Sequence, residues 1–158
     1  MTGLSSASNM PPDSEIVVRA WCLEKTGITD IVGTRIATRL PQSPTLPFLV
    51  ITNTGGFFEG TGSQAAIATN VITFNCYAGR WGGSGNKGEP DYTTASNLAQ
   101  AVLKELFIES NNQVTTSGGT KAFIYGYDVR GTPARVEEPD LLIANFEITA
   151  AVTYRASA

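Results

Sequence analysis

Residues 142–154 alternate apolar and polar side chains more regularly than any other stretch of the chain. Leu142, Ala144, Phe146, Ile148, Ala150, Val152 and Tyr154 form one set; Asn145, Glu147, Thr149, Thr153 and Arg155 form the other. A period of two marks a strand with one face buried and one turned away. Such a strand needs neighbours in a sheet and a layer of helices over its apolar face. The pattern places Phe146 in that core and turns Asn145 and Glu147 outward.

The remaining segments supply the other parts of such a fold. Pro12-Asp13-Ser14-Glu15 opens a helix, capped by Asp13 or Ser14, with Glu15 at its positive end. Its body runs Ile16 to Leu23, and Gly27 reads as its stop. Apolar residues surround most of it, so it calls for cover on more than one side. Glu15 and Arg19 share the one polar strip, four residues apart. Ile28 to Val32 reads as a short helical turn ended by Gly33. Pro41, Pro44 and Pro47 then punctuate an extended link. Phe48 to Asn53 reads as a strand ending at Gly55-Gly56, and Ile67 to Tyr77 as a longer one with Ile72, Phe74 and Cys76 on one side. A second helix spans about Thr94 to Glu109, with Ala95, Leu98, Ala99, Val102 and Leu106 as its stripe. Gln113–Thr116 and Thr120–Val129 flank the turn Ser117-Gly118-Gly119, and 130–140 reads as a polar loop. The expected fold is α+β: a mainly antiparallel β-sheet with two α-helices packed on one face. Residues 1–12 are expected to form a flexible arm, and 13–158 a single domain.

Composition narrows the chemistry. The chain has 158 residues, a net charge of −3 and no histidine. Triads and metal sites that need an imidazole are therefore excluded. No basic stripe exists for duplex DNA held through many phosphates. Two cysteines, Cys22 and Cys76, cannot hold zinc alone, and Cys22 reads as a small core hydrophobe. The first twelve residues have no basic start and no apolar core, so they do not read as a signal peptide. No apolar run approaches a membrane span. The chain is expected to be made in a cytoplasm with both thiols reduced.

Two motifs invite a chemical reading. Gly83-Ser84-Gly85-Asn86-Lys87-Gly88 matches G-x-G-x-x-G, but Glu89 and Pro90 separate it from the next helix. The dinucleotide fingerprint needs a turn that opens a helix directly, so a nucleotide-binding protein is the lesser alternative. Glu137, Glu138 and Asp140 form an acidic group that could hold a metal or pair carboxylates, and that equally reads as a solvated loop beside Arg135. No catalytic residue, metal site or cofactor is assigned. Binding candidates are aromatic instead. Phe57 and Phe58 follow Gly55-Gly56, and Arg80-Trp81 opens the Gly-rich stretch 79–90 that also carries Lys87. Large rings on such segments need a cover, which either a partner or the loop itself supplies.

The order of these elements resembles a known family. A first helix leads to Gly33-Thr34-Arg35-Ile36-Ala37-Thr38-Arg39-Leu40-Pro41, then to Pro44-Thr45-Leu46-Pro47-Phe48-Leu49-Val50-Ile51. A strand Ile72-Thr73-Phe74-Asn75-Cys76-Tyr77-Ala78, the Ala95–Val102 helix and a last strand with Phe146-Glu147-Ile148-Thr149 follow. Over about residues 14–155 this is similar to the tail terminator, or tail completion, proteins of long-tailed bacteriophages and related tail-to-head joining proteins. The 1–12 arm and the 79–90 stretch depart from that pattern.

The resemblance implies a structural virion protein without enzymatic activity. It implies a homo-hexameric ring on the last ring of the major tail tube protein, at the head-proximal end of the tail, assembled in the host cytoplasm. Its other face would meet the head-tail connector or stopper protein, and a connector role in the same particle is the neighbouring reading. Self-association is expected through a sheet edge and the first helix, with Phe57, Phe58, Arg80, Trp81 and Lys87 contacting adjoining rings. Genome DNA would pass through without specific binding, and acidic side chains that repel phosphate suit such a channel. Glu137, Glu138, Asp140 and Glu147 are the candidates to line it.

Overall fold

A computed structural model describes residues 10–59, 66–80, 88–137 and 143–157. Helix α1 spans Ser14–Leu23, and the Asp13 carboxylate caps it by accepting from the Glu15 N–H at 2.8 Å. α1 ends at Leu23, four residues before the expected glycine stop. The Glu24 N–H closes on the Trp21 carbonyl and the Lys25 N–H on the Cys22 carbonyl, and Gly27 lies inside a separate helix α2, Thr26–Val32. The anticipated helical turn is thus a third helix. Strands β1 (Ile36–Ala37), β2 (Phe48–Glu59), β3 (Ile67–Arg80) and β4 (Glu89–Pro90) follow. Helix α3 (Tyr92–Ile108) precedes β5 (Ser110–Thr115), β6 (Lys121–Val129), β7 (Ala134–Val136) and β8 (Ala144–Ser157).

The sheet order is β1-β2-β3-β8-β6-β5, with β4 beside β3 and β7 beside β8. Among the described residues only the β1–β2 pair is parallel. Four antiparallel steps separate β2 from β5, so those two strands run in the same direction. The fold is α+β, as the patterning predicts. α1 and α3 pack against one face of the sheet with α2 lying against both helices, and α1 reaches strands near both of the sheet's ends, β1 and β2 on one side and β5 on the other. The sheet therefore curls around α1.

The main core is the layer between. Val17, Val18, Trp21 and Cys22 of α1 meet Leu49, Ile51, Ile72, Phe74 and Cys76 of β2 and β3, the α3 stripe, and Ile148, Ala150, Val152 and Tyr154 of β8. The α3 stripe is the set that helical spacing singles out, all of it buried. The polar strip of α1 serves the sheet rather than itself. Glu15 accepts from the Asn53 N–H at 2.9 Å, and Arg19 donates to the Ile36 carbonyl at 2.7 Å. Each side chain satisfies a backbone group that an edge strand would leave to water.

Three expectations fail around β8. Asn145 is buried, not outward in solvent, because Phe48, Val50, Tyr77 and Ile143 build a second small core there, joined by Leu40 and Leu46 of the proline link. Its amide donates to Asn75 Oδ1 at 3.1 Å. Phe146 faces the core but is only half-buried, with its ring edge-on to Tyr92 at 6.4 Å. The polar 130–140 segment contains strand β7, whose Ala134–Val136 pair with Glu147–Asn145 of β8.

Candidate functional site

β2 places the first aromatic pair. The strand does not stop at Gly55-Gly56; a bulge between Asn53 and Gly56 absorbs the irregularity and pairing resumes through Glu59. A Cβ at Gly56 would run into the Thr69 carbonyl oxygen and lie 2.5 Å from Asn70 Oδ1, so only glycine lets the two strands close here. Phe57 and Phe58 therefore sit on a strand, not in a loop, and a strand must send them to opposite faces. They are 58% and 60% exposed, the hairpin having run past the helices that would cover it.

β3 carries the second candidate at its other end. Phe58 pairs with Ala68, and Arg80 closes the strand twelve residues on, about 40 Å away by strand rise. Arg80 is exposed and pairs with Glu89 of β4, an approach made possible by Gly79, whose φ is 136° and whose added Cβ would strike the Glu89 carbonyl. Trp81, Lys87 and the Gly83–Lys87 part of the glycine motif lie outside the described residues.

The acidic candidates divide similarly. Glu137 is exposed and engaged. Arg135 Nε stands 2.9 Å from its Oε1, the Tyr92 hydroxyl donates to its Oε2 at 3.4 Å, and the Arg135 guanidinium lies 3.6 Å over the Tyr92 ring. Glu147 is half-buried on the outer face, opposite Asn75 and Ala134. Glu138 and Asp140 lie outside the described residues. Arg135 partly neutralises the group, which weakens it as a phosphate-repelling surface.

Three features escaped the sequence reading. A groove of about 370 Å³ runs along the outer side of α1, floored by Ile16, Ala20 and Leu23 and walled by Thr38, Thr115 and Ser117. Ile16 is half-exposed in it. Phe107 and Ile108, at the end of α3, are 71% and 66% exposed. The signal for them was available: they fall off the Ala95–Leu106 stripe. Thirdly, Glu109 is buried and receives Trp21 Nε1–H at 2.8 Å and the Lys25 ammonium, tying α1 and α2 to the end of α3. Trp21 in turn stacks on Tyr127 with ring centroids 4.6 Å apart.

Cys22 and Cys76 are fully buried, and burial pushes both thiols up, leaving them protonated and out of reach at neutral pH. Among the described residues no group of three or more potential ligands could hold a metal ion, and no helix is long and apolar enough to cross a membrane. No family model and no curated protein matches this chain.

Proposed function

We propose that this chain is a structural subunit of a bacteriophage tail, forming a ring that caps the tail tube, ends its polymerisation and offers the surface that joins the head. The observation that carries the reading is the separation of the two candidate patches. A catalytic site gathers its groups at one place, whereas a subunit stacked between two different partners needs a contact at each end. Phe57, beside Thr69 of β3, and Arg80 at the far end of β3 stand roughly 36 Å apart by strand rise, with the core between them. The exposed rings are of the kind that carry interfaces. The partners in this reading are other copies of the chain, the tail tube protein and the head-tail connector, and its place is the head-proximal end of the tail.

Purified protein added to growing cognate tail tubes, imaged by negative stain, tests the reading. Rings at one tube end and arrested elongation are expected. Attachment to DNA-filled heads without binding to tubes would assign it to the connector instead. Binding to neither would reject the tail reading.

A further inference from the structure

We propose that neighbouring copies of this chain join by strand addition: Gly56–Glu59 of one copy pairs in parallel with Gln113–Thr115 of the next, and the Phe58 ring enters the groove beside α1. The inference deepens the ring reading above and rests on it in naming a second copy as the partner.

Hydrogen-bond phase identifies the two open edges. The Thr116 N–H donates to the Thr120 carbonyl at 2.8 Å, and antiparallel pairs alternate between bonded and non-bonded. Thr115–Lys121 and Gln113–Phe123 are therefore non-bonded pairs, and Gln113 and Thr115 turn their N–H and C=O away from β6. On β2 the Asn53 N–H points away from β3, toward Glu15. The same alternation, carried past the bulge along β3, turns the backbone of Gly56 and Phe58 outward. Among the described residues no strand pairs with either edge. Each edge thus offers two residues, two apart, with backbone groups that bind an added strand.

Direction and face agree as well. β2 and β5 run the same way and share one helix-covered face, so rotation about an axis inclined to the strands sets β2 of one copy parallel to β5 of the next without flipping either. Repetition of one heterologous contact of this kind closes a ring when the rotation between copies divides a full turn. In the proposed register Phe58 lies beside Val114 on the helix-covered face, next to the groove floored by Ile16, Ala20 and Leu23. Glu59 lies beside Thr115 on the outer face, and Lys121 stands cross-strand from Thr115 on its other side. The two charges are opposite. Within one copy Gln113 is level with Glu59 through Phe123, Arg155 and Ile67, so the register needs a two-residue offset, the stagger that tilted strands take around a closed sheet.

Proline at residue 113 separates this edge from the fold, because among the described residues the Gln113 N–H serves no bond and edge strands accept proline. Sedimentation of the full chain, with circular dichroism to check folding, reads the result. The wild type is expected to form a closed oligomer, and folded Gln113→Pro to sediment as a monomer. A folded Gln113→Pro that assembles like the wild type overturns the proposal, as does a wild type that stays monomeric at its highest soluble concentration. Should Gln113→Pro not fold, charge exchange decides. Glu59→Lys and Lys121→Glu should each raise the assembly midpoint, by about threefold for an exposed pair, and the double variant should restore it. Single variants without effect, or a double variant no better than the singles, overturn it. Tube capping is scored separately. Oligomers that lose assembly as stated but never cap tubes would reject the terminator reading alone, and capping by assembled Gln113→Pro would reject the strand addition alone.

Discussion

The two halves of β2 share a backbone and differ in everything around it. Phe48–Ile51 is buried on both faces: Leu49 and Ile51 enter the main core, Phe48 and Val50 the smaller one opposite. Gly56–Glu59, beyond the bulge, is exposed throughout and has β3 as its one partner among the described residues. The first half is held by packing on two sides, the second by backbone hydrogen bonds along one. Stability and binding are thereby placed in different stretches of one strand, and substitutions should tell them apart.

The largest expected effect lies in the first half. Ile51 is fully buried between the helices and β3. Ile51→Ala should cost about 2–5 kcal/mol, read from the urea midpoint, since its neighbours cannot collapse into the space. A loss below about 1 kcal/mol, the range of surface changes, would erase the contrast between the halves.

Gly56→Ala comes next, at the join. The new methyl would collide with the Thr69 carbonyl, backbone that cannot swing aside. An overpacking cost of about 1–3 kcal/mol is expected, taken up by fraying of the Gly56–Glu59 rungs. Hydrogen exchange should show protection lost at Thr69 and Ile67, which pair with Phe57 and Glu59, and kept at Phe74. Protection retained across the hairpin would mean the strands separate without penalty.

What the sequence discloses follows the same division. Wherever one face of an element is buried, its period is readable: the α3 stripe, the Ile72–Phe74–Cys76 side of β3 and the β8 alternation all sit in the core. The reading falters where a second surface intervenes. Asn145 looked outward because nothing local says that Phe48, Tyr77 and Ile143 cover that face. Gly55-Gly56 looked like a turn because a bulge and a loop use the same residues, and only the partner strand distinguishes them. The groove beside α1 is assembled from segments about a hundred residues apart, and no local pattern encodes it.

A smaller effect is expected where the core gives way to the projecting hairpin. The Tyr154 hydroxyl donates to the Pro12 carbonyl at 2.6 Å and receives Asn70 Nδ2–H at 3.3 Å. Tyr154→Phe should cost about 1 kcal/mol for the lost bond. Burial, with the Asp13 carboxylate nearby, pushes the phenol up to about 12. An unfolded tyrosine ionises near 10, so the folded state keeps its proton while the unfolded state loses it. The Tyr154 contribution is therefore whole below about pH 10 and lost as pH rises from there to about 12. Tyr154→Phe should flatten that alkaline decline; an unchanged decline would place its cause at other groups.

The smallest effect belongs to the outermost ring. Phe57 is 58% exposed on the outer face of the hairpin and pairs with Thr69, which gives it little to pack against. Phe57→Ala should move stability by no more than about 0.5 kcal/mol, as surface changes do. That value matters because Phe57 is as large a side chain as Phe48, on the same strand, and Phe48 is 7% exposed. Phe48→Ala empties part of the second core and should cost several times as much. Equal losses at the two positions would mean that the hairpin end is packed as tightly as the core end. A near-zero loss at Phe57 together with weaker ring assembly or tube capping would show that a ring this exposed is kept for a partner, because nothing within the fold needs it.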